Sequence, residues 1–354
     1  MADGRPPEGS RQMKWAVILA GGAGSRFWPL STPARPKQVL PLAGESSTAE
    51  QAVQRLAGMV PTEQILLVTG AMVAPALKEL LRLPDANILI EPRAASTAPA
   101  LVWATHEAWR RDPDAEVISL HADWVIREES IFRSAATTAL RTASTHRRLV
   151  TVGIVPTRPE TGYGYIVPGA PLDRDSWAVR RFTEKPDAAT ALNLMAEGAL
   201  WNSGLFAWRA DVLLEQIRTH TPEIAPALEA LDRADVEGFF AAVKPISIDV
   251  GLLERSPAVA VVSGSFSWDD IGTWDALPRV RIRDSHGNVS AGPVYLTDSQ
   301  DCIVWSDGDP VVVAGVRDLV VVRANGRFLV MPRIMAADLK TLLDGLPPEV
   351  RNLT

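Results

Sequence analysis

Over its first 120 residues the chain alternates short apolar runs with amphipathic stretches, and this restricts it to a sheet covered on both faces. Residues 15–19, 65–69, 87–91 and 116–120 each have the length and apolar character of one buried strand. Between them, 48–59, 73–83 and 98–110 carry apolar residues at helical spacing. Strands joined through helices run parallel, and ligands of such sheets sit beyond the carboxyl ends of the strands. Three segments fall at those ends: a glycine-rich loop after the first strand, Glu91-Pro92, and His121-Ala122-Asp123.

The loop reads Gly21-Gly22-Ala23-Gly24-Ser25-Arg26, with Lys37 following a segment stiffened by Pro29, Pro33 and Pro36. Glycines let a ligand approach main-chain N–H groups closely, and a forked cation beside a point-charge cation suits a polyphosphate. It is neither of the two commonest nucleotide loops. A dinucleotide fingerprint begun at Gly22 needs a third glycine where Phe27 stands, and Lys37 lies between Pro36 and Gln38, unlike a P-loop lysine. A plain strand-to-helix turn would have no use for the two cations beyond it.

Bulk properties narrow the partners. The 354 residues suffice for one large α/β domain and a smaller one. A net charge of −6 without a basic run excludes nucleic acid as an expected partner, and no apolar run approaches a membrane span. The single Cys302 and five unclustered histidines leave no disulfide framework or zinc site. The polar first residues lack a signal peptide's apolar segment, so a cytoplasmic protein with a disordered tail over 1–13 is expected.

Further strands are expected at 150–155, 164–167, 178–182, 205–208 and 258–262. Beyond residue 283 the texture changes to short β runs punctuated by glycine and aspartate, then a helix over 336–346. The expected division is therefore 14–283 and a β-rich unit over 284–354. Asp123, at a strand end facing the loop, is placed to hold Mg²⁺, which takes one or two carboxylates plus phosphate oxygens; the alternative is a helix cap. Thr97 can cap the helix after it, and Gly162 and Gly164 before a strand allow close approach of a sugar or merely a turn.

The blocks G-G-x-G-x-R-x-x-P-L-S and R-P-K resemble the sugar-nucleotide pyrophosphorylases, and W-P-L-S-T-P-A-R-P-K-Q is similar to the mannose-1-phosphate guanylyltransferases among them. The resemblance spans roughly residues 14–335. It implies a mostly parallel, Rossmann-like nucleotidyltransferase sheet with helices on both faces, a short left-handed β-helix in the C-terminal unit, and a homodimer. It implies GTP and mannose 1-phosphate as substrates and Mg²⁺ as cofactor. Arg26, Lys37 and Lys185 become the catalytic cations. Ala20, Gly21, Gly22, Gly24, Ser25, Glu91, Thr97, His121 and Ala122 are expected to line the nucleotide.

Ser267-Trp268-Asp269-Asp270-Ile271-Gly272-Thr273-Trp274 resembles W-x-D-[IV]-G-[ST]-W, which makes Asp270 the second metal ligand beside Asp123. Phe182-Thr183-Glu184-Lys185-Pro186 resembles F-x-E-K-P, and Trp201-Asn202-Ser203-Gly204 the hexose-binding W-N-S-G. Ile248-Asp249-Val250-Gly251 resembles S-I-D-x-G, so Gly162, Glu184, Asn202 and Asp249 form the expected sugar side. Two departures stand out: His121 and Trp124 where the family has P-A-D-H, and Ala95-Ser96 in place of Arg-Asn near the purine. The latter keeps open a sibling enzyme acting on another nucleotide or sugar 1-phosphate. A non-catalytic relative would be expected to lose a cation or a metal aspartate.

Overall fold

The computed structural model describes residues 13–22 and 25–351, so the expected tail, Met13 apart, lies outside the described residues. Strand β1 (Lys14–Leu19) is apolar on both faces: Trp15, Val17 and Leu19 enter one core, Ala16 and Ile18 the other. Such a strand belongs inside a sheet covered twice. With β2 (Ile65–Gly70), β3 (Ile88–Glu91) and β4 (Glu116–His121) it forms the parallel order β3-β2-β1-β4. Helices α1 (Thr48–Arg55), α2 (Ala74–Leu81), α3 (Thr97–Arg111) and α4 (Glu129–His146) connect and cover these strands. α3 packs into the first core, and α1 and α4 into the second. The helix expected over 48–59 starts at a Ser47/Glu50 capping box but stops at Arg55, and Gly58 takes the positive φ of the turn beyond.

After the two-residue strand β5 (Val125–Ile126) the sheet continues with β6 (Leu149–Ile154), β7 (Tyr165–Asp173), β8 (Ser176–Thr183), β9 (Leu200–Arg209) and β10 (Val259–Gly264). The nine-stranded order is β3-β2-β1-β4-β9-β6-β10-β8-β7. β9 runs antiparallel to both β4 and β6, while β6 and β10 pair in parallel. The sheet is therefore mixed: β7 and β8 form a hairpin much longer than the runs expected there, and a hairpin needs no crossover helix. Strand β11 (Trp268–Asp269), not expected from the sequence, pairs antiparallel with β5, matching Trp268 to Ile126 and Asp269 to Val125.

The C-terminal unit stacks β12 (Val289–Ala291), β13 (Val294–Thr297), β14 (Ile303–Ser306), β15 (Val311–Ala314) and β16 (Leu319–Ala324) as coils. Its parallel faces are β12-β14-β16 and β13-β15, and β17 (Arg327–Pro332) returns antiparallel on β16. The single helix expected over 336–346 is instead a 3-10 turn, Arg333–Asp338, followed by the helices Leu339–Asp344 and Pro348–Arg351.

This unit shares a core with the opening loop. Phe27, Trp28 and Leu30 pack with Trp274, Trp305, Val320 and Val322. Fully buried Trp274 stands 5.1 Å from Phe27 and 5.9 Å from Trp305, ring centre to ring centre, and its indole N–H donates to the Trp28 carbonyl at 3.2 Å. Truncating a large buried aromatic costs about 3–5 kcal/mol. Trp274→Ala is therefore expected to lower unfolding stability by about that amount in urea titration, and Trp274→Phe, which keeps part of the ring packing, by less.

Candidate active site

Beyond β1 the chain turns through Gly21 and Gly22, the latter at φ +95°. Gly24 lies outside the described residues, and Ser25 opens a 3-10 turn ending at Phe27. Ala20 is buried, its N–H donating to Val68 and its carbonyl accepting from the Thr69 hydroxyl, so it anchors the loop by main-chain bonds to β2. Gln38, also buried, donates its side-chain N–H to the carbonyls of Gly21 at 2.6 Å and Gly22 at 3.4 Å. Sequence reasoning gives Gln38 no role, because a glutamine beside a lysine has no spacing signature.

Asp123 lies two residues beyond the end of β4, and Asp270 directly follows β11. The β5–β11 pairing brings the two together. Lys37 joins them: its ammonium is 2.8 Å from Asp123 Oδ2, 3.3 Å from the Asp270 carbonyl and 3.1 Å from the Ile271 carbonyl. Buried Ile271 holds a positive φ of 33°, a conformation β-branched residues avoid and surrounding structure must impose. Asp269 imposes part of it, accepting the Ile271 N–H while Arg279 grips its carboxylate with two bonds. Asp269 is therefore buried and bonded rather than solvated. Asp123 does not cap a helix either, since α4 begins only at Glu129.

Burial works to raise the Asp123 carboxyl, but Lys37 and then His121 outweigh it and hold it below its ordinary range. Asp270 is pushed up, by burial first and by repulsion from Asp123 and Asp269, against the pull of Lys37. Two coupled carboxylates with a cation against their segments form a donor set that suits one divalent ion completed by phosphate oxygens. Among the described residues no three acidic, histidine or cysteine side chains could hold a metal by themselves. Tyr163 donates its hydroxyl to Asp270 Oδ1 at 3.2 Å, a role unassigned from the T-G-Y-G-Y run because nothing in it points at a distant aspartate. Arg26 is exposed, and its guanidinium reaches the same corner, beside Gly272 and near Asp270. Burial pushes the His121 imidazole, at the end of β4, below its ordinary range, while Ala122 is buried and donates its N–H to the Leu19 carbonyl.

Among the residues expected on the sugar side, Glu184 and Lys185 pair at 2.9 Å, and Lys185 is largely exposed with a positive φ. Asn202 has little capacity left for a ligand. Its oxygen accepts from Thr151 at 2.7 Å and from the Gly204 N–H at 3.3 Å, and its amide donates to Asp249 Oδ1 at 2.8 Å. It orients Asp249, whose carboxyl is pushed up to about 7 by burial, with Glu184 second. Gly162 sits on an exposed turn with its N–H bonded to Glu160. The glycine that needs its missing side chain is Gly164, where a Cβ would lie 2.6 Å from a Glu184 oxygen.

Among the residues expected on the nucleotide side, Glu91 ends β3, half-buried, its carboxylate with no hydrogen-bond or ionic partner among the described residues, and burial pushes it up to about 7. Thr97 does not cap α3. Ser96 occupies the cap at φ +68°, and the Thr97 hydroxyl accepts the Ile248 N–H at 3.0 Å, tying α3 to the Asp249 segment. A separate cavity of about 520 Å³ lies behind β11, lined by Trp268, Asp269, Arg127, Arg158 and Arg279 and by none of Arg26, Lys37 or Asp123.

Residues 15–285 match the nucleotidyl transferase family model, and residues 292–346 that of the MannoseP isomerase/GMP-like beta-helix domain. A mannose-1-phosphate guanylyltransferase of Klebsiella pneumoniae is 35% identical over 95% of this chain and 74% of its own length. Xanthan biosynthesis protein XanB of Xanthomonas campestris is 37% identical over 92% of this chain and 72% of its own length. A crystal structure from Thermus thermophilus, described as mannose-1-phosphate geranyltransferase, superposes with a TM-score of 0.87 at 35% identity, covering 94% of this chain and 99% of that one. On this similarity over nearly its whole length, the protein belongs to the nucleotidyl transferase family, among the mannose-1-phosphate guanylyltransferases.

Proposed function

We propose that this enzyme transfers GMP from GTP to α-D-mannose 1-phosphate, releasing pyrophosphate, in one displacement at the α-phosphorus. The observation that carries the reading is Lys37, which fastens the loop segment to Asp123 and to the main chain of Asp270 at once. The attacking group is a sugar-phosphate oxygen, already an anion at neutral pH, so no base or covalent intermediate is needed. The chain's task is positioning and charge stabilisation. Arg26, exposed at the corner, takes the departing phosphates, and Lys37 and Lys185 offset the repulsion between two anionic substrates. Asp123 and Asp270 would hold Mg²⁺, which when bound neutralises phosphate charge at the reacting centre. Asp249 and Glu184 accept from sugar hydroxyls, with Asn202 and Gly164 setting their positions. Glu91, an acceptor without a partner, suits the adjacent N1–H and N2–H donors of guanine. The same reading includes a cytoplasmic homodimer, on the family resemblance; no described helix is long and apolar enough to cross a membrane.

The direct test is pyrophosphate release from four nucleoside triphosphates against mannose, glucose and heptose 1-phosphates. GTP with mannose 1-phosphate is expected to be fastest. Preference for another pair moves the enzyme to a sibling activity, and no release from any pair ends the transferase reading. Lys37→Met and Asp270→Asn are each expected to lower kcat about 10²–10³-fold while both variants remain folded by circular dichroism. Near-normal turnover by Asp270→Asn would remove it from the site.

Glu91→Gln is expected to lower kcat/KM for GTP by about 10- to 100-fold and to narrow the preference over ATP. An unchanged GTP:ATP ratio would show that Glu91 does not read the base. Asp249, at about 7, is neutral below that pH and an accepting anion above it. KM for the sugar phosphate should therefore fall as pH rises from about 6 to about 8, and Asp249→Asn should leave only the substrate's own titration. Identical profiles for the two proteins would count against the assignment.

A further inference from the structure

We infer that Lys37 is a placeholder for the metal: it closes the two-aspartate site in the free enzyme, and the nucleotide must draw it away before a divalent ion can enter. The inference rests on the metal reading above and adds an order of events to it. An ammonium has three N–H donors, and Lys37 meets three acceptors: Asp123 Oδ2, the Asp270 carbonyl and the Ile271 carbonyl. Its capacity is spent before any substrate arrives. The side chains of Lys37 and Asp123 are only 15% and 24% exposed, so the pair is poorly screened by water.

The receptor for the ammonium is built rather than incidental. Successive carbonyls reach one nitrogen because Ile271 is held at positive φ, fixed by Asp269 through its own N–H and by Arg279 behind Asp269. A dication at Asp123 would meet the ammonium as a like charge at contact range, so the two cannot share that oxygen. A phosphate can break the stalemate. It offers Lys37 new anionic acceptors, and Arg26 stands at the same corner to receive the rest of the polyphosphate. Lys37 then moves from carboxylate to phosphate, and the vacated Asp123 oxygen becomes a metal ligand. Metal would thus enter with or after the nucleotide.

Mn²⁺ provides the test, followed by EPR of the free ion and by water-proton relaxation. Without nucleotide, Lys37→Met is expected to bind a single Mn²⁺ about 10- to 100-fold more tightly than wild type, the equivalent of one charged hydrogen bond. Lys37→Arg, which keeps a cation, should resemble wild type, and Asp123→Asn added to Lys37→Met should abolish the gain. GTP should give wild-type protein a relaxation enhancement above that of Mn–GTP alone. Wild type binding Mn²⁺ without nucleotide within about threefold of Lys37→Met would overturn the placeholder while leaving the metal site intact. So would Lys37→Arg binding like Lys37→Met. Failure of both Lys37→Met alone and wild type with GTP to hold Mn²⁺ would overturn the two-aspartate site, and the inference with it. Thermal melts of each variant separate these results from misfolding.

Discussion

The short pairing of Val125-Ile126 with Trp268-Asp269 is what brings the two candidate aspartates to one corner. Asp123 and Asp270 are separated by most of the large domain, and each lies next to one strand of that small ladder. Antiparallel pairing sets register residue by residue, so the carboxylates are placed by hydrogen-bonded backbone. The aromatic side chains around the ladder stiffen it. Trp268 lies 6.2 Å from Trp124 and 4.9 Å from Tyr163, and the Tyr163 hydroxyl holds the Asp270 carboxylate.

The electrostatics follow from that placement. Bringing two carboxylates into a partly buried corner is unfavourable without a cation, and burial and repulsion push Asp270 up while Lys37 holds Asp123 down. Lys37 relieves the repulsion from the third side, and its neighbour Gln38 holds the Gly21 carbonyl, so the glycine-rich loop and the aspartate segments meet through residues 37–38. The sugar side is arranged by similar means, since Asn202 spends its amide on Thr151 and Asp249.

The central strands were readable because their apolar runs are buried on both faces, as β1 illustrates. The candidate cations and carboxylates were readable as motifs, and the fold brings Arg26, Lys37, Asp123 and Asp270 to one corner. What could not be read depends on long-range geometry. β5 and β11 are two residues each, too short for any periodicity. Tyr163, Gly164 and Gln38 act on partners remote or irregular in sequence. Thr97 looked like a cap because threonine before a helix commonly is one, yet its hydroxyl is claimed by Ile248, which no local pattern encodes. The β8 and β9 directions were hidden because an apolar run does not state which way it points.

The coiled C-terminal unit does more than trail behind the catalytic sheet. Asn325 donates to the Pro29 carbonyl at 2.7 Å, and the Trp28 indole donates to the Arg351 carbonyl at 3.2 Å. The segment linking Arg26 to Lys37 is thus clamped from outside by residues made long after it. A ribosome-bound chain that has not yet emerged as far as β12 would carry Arg26, Lys37, Asp123 and Asp270 but lack the C-terminal part of the core that packs on Phe27 and Trp28. The final shape of the segment between Arg26 and Lys37 is therefore reached only once the coils have been synthesised and docked against it.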